Sequence, residues 1–104
     1  EGFTVFLERK VLRRMFGDQV ADFHALRGLV DLKDGVDEMV KDGRPQYTRL
    51  VVDLQDGGDP DDAFSKVPYE KGFAFLSYLE RCAGGPASFE PFLRDYIAKY
   101  GYGT

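Results

Sequence analysis

Residues able to do chemistry gather in two stretches of this chain of 104 residues, Glu1–Glu8 and Asp59–Phe73. The second reads DPDDAFSKVPYEKGF and packs an acidic turn, a tyrosine and a Glu-Lys step into fifteen residues where a loop becomes a helix. Asp59-Pro60 predicts a turn, because proline presets its own φ and pushes the preceding residue towards an extended conformation. Asp61 and Asp62 are then expected in the first turn of a short helix, where the positive end of the dipole favours carboxylates. Pro68 predicts the start of another helix, since its missing N–H costs nothing at the first helical position. Tyr69 is thereby held at a helix N-terminus, its ring direction fixed by Pro68. On spacing alone it is either placed for chemistry or a half-buried aromatic whose hydroxyl finds a partner. Glu1 and Glu8 are seven residues apart, nearly two helical turns, so both carboxylates point the same way. Their shared direction runs along the edge of an apolar face beside Thr4, Val5 and Leu12. A carboxylate there needs a cation or a donor to justify its desolvation.

Three other groups invite chemistry and carry less. The acidic cluster Asp53, Asp56, Asp59, Asp61 and Asp62 suggests calcium, yet its spacing misses the alternation and the distal Glu of an EF-hand loop. His24, the single histidine, lacks partners at helical spacing for a zinc or general-base role, and its nearest acid, Asp22, points elsewhere on a helix. Cys82, the single cysteine, excludes an internal disulfide, suits a reducing compartment, and reads as a small apolar residue on a helix face.

The elements that must position these residues read as helices. Glu1 to Phe16 repeats Phe3, Leu7, Val11 and Met15 at four-residue steps, with Val5, Phe6, Leu12 and Phe16 widening the apolar face and Gly17 as C-cap. Arg9, Lys10, Arg13 and Arg14 line the opposite side as a solvated face. Asp18 is expected to cap a second helix through Val20, Phe23, Leu26, Leu29 and Val30, interrupted near Gly35 and resuming over Val36–Val40. Residues 42–60 read as one structured loop, with Leu50-Val51-Val52 too short to choose between a strand and a buried extended segment. After Tyr69 a helix carries Phe73, Leu76, Leu79 and Cys82 inward until Gly84-Gly85-Pro86. Ser88 caps a last helix bearing Phe89, Phe92, Leu93, Tyr96, Ile97 and Tyr100, with Pro91 still in its first turn and Gly101 ending it. The fold class is all-α.

Length allows at most one domain, able to bury about two thirds of its unfolded surface. A net charge of −4 and a pI near 4.9 argue against nucleic acid, whose phosphates demand a basic stripe. No run of about 18 apolar residues marks a membrane span, and no signal-peptide pattern is present. The chain opens at Glu1 without Met, already inside an amphipathic pattern. It therefore reads as a segment of a longer polypeptide, with apolar faces, at Phe3, Leu7 and Phe73 among others, that pack on other parts.

Taken together, these residues resemble the leukotriene A(4) hydrolase branch of the zinc aminopeptidases, gluzincins with an H-E-x-x-H motif and a glutamate ligand. EGFTVFLER resembles the N-E-G-x-T-x-x-x-E-R helix of that family, and DPDDAFSKVPYEKGF its tyrosine segment. FHAL, LVVDL and the glycine pair before the last helix agree as well, and the opening helix, the acidic turn and the tyrosine helix stand in that family's order and spacing. The resemblance covers essentially the whole chain.

What the resemblance implies is specific. The chain is expected to be a helical lobe of a thermolysin-like zinc metallopeptidase catalytic domain, a partial domain over residues 1–104. The H-E-x-x-H helix and the N-terminal and C-terminal domains lie outside it. Glu1 falls on the third zinc ligand, beside two histidines that this sequence does not hold, and a carboxylate oxygen binds zinc at about 2.0–2.2 Å with a coordination position left open. Glu8 falls on a carboxylate that bonds a ligand imidazole. Tyr69 falls on the catalytic tyrosine, and Asp61 on an acid lining the substrate pocket. Phe64 stands where animal relatives carry a second tyrosine, which leaves peptide hydrolysis in place and epoxide hydrolysis in doubt. The implied activity is release of N-terminal residues from peptides with a free N-terminus, in the cytoplasm, with no nucleic acid or membrane partner; the rest of the catalytic domain is the remaining partner. The isolated segment is expected to be inactive. The alternative is a non-catalytic helical remnant or interaction module.

Overall fold

Gly17 decides how the first half of the chain folds. Its φ of 92° lies where L side chains are disfavoured. Its N–H bonds the Arg13 carbonyl at 3.0 Å to close α1 (Gly2–Phe16), and its carbonyl accepts the Ala21 N–H at 3.3 Å to open α2 (Asp18–Lys41). With one residue between them the helices fold back on each other. Arg13 clamps the corner, bonding Asp18 Oδ1 and Asp22 Oδ1 at 2.7 Å each, and the two carboxylates hold its guanidinium above its ordinary pKa. Asp18 is thus not a cap. It is the first helical residue, and its carboxylate accepts from Arg13 instead of a backbone N–H.

The structure, a computed structural model, describes residues 1–55 and 57–103. Two more helices, α3 (Val67–Cys82) and α4 (Pro86–Tyr100), complete the element order, with a short 3-10 turn over Pro45–Thr48 inside the segment 42–66. No strand occurs among the described residues, so the chain is all-α, and Leu50-Val51-Val52 is irregular. The interruption expected near Gly35 is also missing. A lone glycine costs a helix only about 1 kcal/mol, and Gly35 sits against Val67, where an added Cβ would stand 3.4 Å from Cγ2.

The helix ends follow local chemistry, with shifts. Pro68 is the second residue of α3, and Ser65 Oγ accepts the Val67 N–H at 3.2 Å just before it. Gly84 and Gly85, at φ 98° and 108°, stop α3, with the Gly85 N–H reaching the Glu80 carbonyl at 2.9 Å. Ser88 is not the cap of α4: the helix opens two residues earlier at Pro86, and the Gly85 carbonyl accepts from both Ser88 and Phe89. Pro91 consequently lies in the second turn and leaves the Ala87 carbonyl without its helical donor. Gly101 ends α4, its N–H on the Ile97 carbonyl at 2.7 Å.

Packing differs more from the periodicity. The core joins Phe6 of α1, Leu76 of α3 and Phe89 and Leu93 of α4, with Phe73 and Leu79 packed against it and Phe6 edge-on to Phe89 at 5.8 Å. On α1 only Val5 and Phe6 are buried, while Phe3, Leu7, Val11 and Met15 are exposed, Met15 by 65%. On α2 the inward positions are mostly small: Ala21 and Gly28 are buried and Ala25 and Gly35 half-buried, joined by half-buried Leu32 and, near the C-terminal end, buried Met39. Phe23, 68% exposed, and its apolar neighbours Val20, Leu26, Leu29 and Val30 face outward. Small residues let α2 approach α1 and α3 closely, which leaves most of its large side chains on the far side. Cys82 is exposed, not inward, and Phe73 is packed, not bare.

Arg9 and Lys10 are not a solvated face either. Lys10 sits between Glu80 Oε2 at 2.7 Å, an ion pair and not a directed hydrogen bond, and Glu90 Oε1 at 2.9 Å. Burial pulls its ammonium down and the two carboxylates more than reverse this, so its pKa lies above the ordinary 10.5. A raised cation stabilises the fold at pH below its unfolded value and loses that contribution as pH climbs through the folded one. Denaturation of the complete polypeptide from pH 8 upward should therefore show wild type losing its advantage over Lys10→Met once pH passes about 10.5. An advantage independent of pH would contradict the pairing.

Candidate functional site

Glu1 and Tyr69 stand 68 positions apart in sequence and meet because two glycines let their helices touch. A Cβ on Gly2 would fall 2.5 Å from Gly72 Cα, and one on Gly72 would fall 2.6 Å from Gly2 Cα. The backbones of α1 and α3 are in direct contact there. From that point matched contacts advance together, Gly2 at Gly72, Phe6 at Leu76 and Lys10 at Glu80, so α1 and α3 run in the same direction. Glu1 precedes one glycine and Tyr69 lies one turn before the other. The crossing sets both at the same end of the helix pair.

Glu1, Phe64 and Tyr69 line a common cleft of about 250 Å³ with Leu50, Val52 and Leu54 from the 42–66 segment and Pro60, Ala63, Ser65 and Pro68. Its walls are mostly apolar, so a polar atom inside meets few competing groups. Tyr69 is half-buried, and its hydroxyl has no protein hydrogen-bond partner among the described residues, which removes the ordinary explanation of a tyrosine tied to its neighbours. The loop that walls the cleft is pinned from α3: Lys71 Nζ donates to the Thr48 carbonyl at 2.7 Å. Arg44 closes its base by donating to the Asp62 carbonyl and to Asp42 Oδ2, each at 3.1 Å.

Asp61 and Glu8 lie elsewhere. Asp61 lines an adjoining cleft with Asp62, Arg44, Lys66 and the α2 residues Asp34 and Glu38, and Phe64 is shared between the two. The Asp59–Phe64 stretch is a chain of tight turns and not the short helix expected: Asp62, Ala63 and Phe64 N–H groups bond carbonyls three residues back, and Asp59 Oδ1 accepts the Asp61 N–H at 2.9 Å. Glu8 is exposed on α1, two turns from the cleft. Asp53 bonds the Gln55 N–H at 3.0 Å, so Asp53 and Asp59 are occupied in shaping turns. Asp56 lies outside the described residues. His24 is exposed and stacks edge-on with Phe23 at 6.2 Å.

Residue-by-residue reading of the sequence missed a second joint. Arg9 donates from both terminal nitrogens to Glu70, at 2.7 and 2.8 Å, with the two side chains 11% and 12% exposed. The guanidinium also lies 4.2 Å from the Phe73 ring centroid. Gly28 of α2 is the floor of this pair: a Cβ there would collide with Glu70 Oε2 and stand 2.5 Å from Arg9 Nη2. A glycine in mid-helix, costing about 1 kcal/mol against alanine, was the available signal of a close approach. The matching pair, 61 positions apart, had none.

Among the described residues no three His, Cys, Asp or Glu side chains stand close enough to hold a metal. At the cleft, Glu1 offers one exposed carboxylate with no ion-pair partner among the described residues. That chemistry suits one ligand of a site completed by other parts of a polypeptide. No helix among the described residues is long and apolar enough to cross a membrane.

Comparison with known proteins fits this geometry. The peptidase family M1 domain matches residues 1–104. Leucine aminopeptidase 2 of Saccharomyces cerevisiae is 47% identical over 100 residues, and that of Candida glabrata 45%, each alignment covering 96% of this chain and 15% of the relative. The chain thus spans about 15% of the length of these curated relatives. Among solved structures, the yeast leukotriene A4 hydrolase in complex with bestatin is 48% identical with a TM-score of 0.88, covering 95% of this chain and 16% of that one. Native leukotriene A4 hydrolase from Saccharomyces cerevisiae gives 46% and 0.89, covering 96% and 16%. The four-helix arrangement is therefore the one that this segment takes in those structures.

Proposed function

The chain belongs to peptidase family M1, and from that premise we propose that it supplies one wall of the active site of a cytoplasmic zinc aminopeptidase. The observation that carries the reading is that Glu1 and Tyr69, whose hydroxyl has no protein partner among the described residues, line one mostly apolar cleft. Glu1 would hold the zinc as its carboxylate ligand; with one histidine in the chain, exposed and away from the cleft, both imidazole ligands come from outside these residues. A zinc held there would supply Lewis-acid polarisation of a carbonyl and a water whose pKa is lowered to about 7. The chain's own contribution is to place and to donate. The Tyr69 O–H donates to the oxygen of the scissile carbonyl as negative charge develops on it, from a cleft whose mostly apolar walls offer few competing protein groups. Leu50, Val52, Leu54 and Phe64 present the surface against which a peptide with a free N-terminus lies. Phe64 brings a ring and no hydroxyl, so epoxide hydrolysis is not assigned.

Metal analysis of the complete polypeptide tests this reading. One zinc per chain in wild type, with loss of both zinc and aminopeptidase activity in Glu1→Ala, is the expected result. A complete polypeptide that binds no zinc would instead be a non-catalytic helical remnant. Glu8, directed along α1 on the same side as Glu1, is assigned to orienting a ligand imidazole. Glu8→Gln should weaken zinc binding by about 10–100-fold, measured by competition with a chelator. Unchanged affinity would remove Glu8 from the site.

A further inference from the structure

We infer that Arg9 and Glu70 are a positioning pair for Tyr69, an ion pair between α1 and α3 packed on α2 that sets the rotation of the first turn of α3 and so the direction of the Tyr69 hydroxyl. The inference rests on the reading of Tyr69 as the donor to the developing oxyanion. Glu70 follows Tyr69 directly, and successive residues on a helix diverge by about 100°. Tyr69 faces the cleft while Glu70 faces α1 and α2, so a clamp on one carboxylate fixes the angle of the neighbouring ring. The clamp is rigid for three reasons. Both Arg9 nitrogens bond both Glu70 oxygens, at 2.7 and 2.8 Å, which fixes orientation as well as distance. Phe73 stacks beneath the guanidinium at 4.2 Å. Gly28 brings the α2 backbone against the pair and closes that side of it.

The other polar contacts at the start of α3 are single bonds, Ser65 Oγ accepting the Val67 N–H, Lys71 Nζ on the Thr48 carbonyl and Lys66 Nζ on Asp31 Oδ2 at 3.3 Å, and none of them fixes an orientation through two bonds at once. The N-cap residue Lys66 makes no side-chain cap bond, and Pro68 has no N–H to give. The Gly2–Gly72 contact fixes how far α3 stands from α1 at that point; two backbones in contact can still roll. Arg9, two turns further along α1, supplies the second point of attachment. Distance comes from the glycines and rotation from the ion pair. Lysine cannot replace Arg9 in this, because a single ammonium lacks the planar fork that holds both oxygens.

The test uses the complete polypeptide carrying Glu70→Gln or Arg9→Lys, each alone and combined with Tyr69→Phe, with kcat, KM, bound zinc and thermal midpoint measured together. In the wild-type background each single change should lower kcat by up to about 10²-fold, the scale of a displacement of about 1 Å at a reacting group. KM and zinc content should stay as in wild type. In the Tyr69→Phe background the same changes should have almost no further effect on kcat, since the pair acts through that hydroxyl. Arg9→Lys keeps charge and bulk, so it carries the test should Glu70→Gln fail to accumulate. Equal losses in both backgrounds, or loss of zinc alongside kcat, would overturn the pair's positioning role. Wild-type kcat in Tyr69→Phe alone would instead overturn the reading of Tyr69 and the inference with it.

Discussion

Replacing Tyr69 with phenylalanine in the complete polypeptide is expected to lower kcat by about 10²–10³-fold, or about 2.7–4 kcal/mol of barrier, with zinc content unchanged. The change removes one hydroxyl and keeps the ring, so the half-buried packing of Tyr69 against Pro68 and the loop survives. What disappears is a donor that has no protein partner among the described residues and is therefore free for the substrate. A donor aimed at charge that develops during reaction stabilises the transition state more than bound peptide. The loss should consequently fall on kcat, with KM moving little. Steady-state kinetics with an aminoacyl reporter substrate reads this directly. A fall confined to KM would make Tyr69 a substrate-binding residue, and no fall would return it to plain packing.

The second large effect is expected at Gly72. A methyl group there meets the Cα of Gly2 at 2.6 Å, where the obstacle is backbone and cannot rotate away. Overpacking usually costs about 1–3 kcal/mol, and Gly72→Ala should reach the top of that range because α1 and α3 must separate. Separation also draws Glu1 from Tyr69. The variant should show a lowered thermal midpoint together with reduced zinc content and activity, in contrast to Tyr69→Phe, which spares both stability and metal. Gly2→Ala presses on the same contact from the other side and should behave alike. A Gly72→Ala protein with wild-type stability would mean that the helices are not held in contact at this crossing.

Gly2 and Gly72 also show where a sequence stops being informative. PYEKG marks a helix start with a tyrosine near it, because Pro68 restricts its own backbone and that of its neighbour. Nothing local in it says that Gly72 touches a residue 70 positions earlier. The apolar stripe of α1 is similar: Phe3, Leu7, Val11 and Met15 keep a helical period, yet the side that closes on the core belongs to Val5 and Phe6. A wide stripe establishes that a helix forms and packs; the partners decide on which side. Over most of α2 the usual sign is inverted, since small residues admit close neighbours and Val20, Phe23, Leu26, Leu29 and Val30 are left outside, while Met39 near its end is buried in the ordinary way.

The amino-acid sequence by itself determined the all-α class, the ends of the helices to within a few residues, the place of Tyr69 at the start of α3 and the resemblance to the zinc aminopeptidases. Those properties depend on short-range sterics and hydrogen bonding, on proline and glycine backbone limits, and on motif order, all of which a linear chain displays. Only the tertiary structure decided that Glu1, Phe64 and Tyr69 share a cleft while Asp61 lines the next one, that Arg9 and Lys10 are paired and not solvated, and that Gly28 exists to pass an ion pair. Each of these is a contact between residues far apart in the chain. Its free energy depends on which surfaces meet, and the two glycines that fix the meeting of α1 and α3 carry no side chain by which the sequence could announce it.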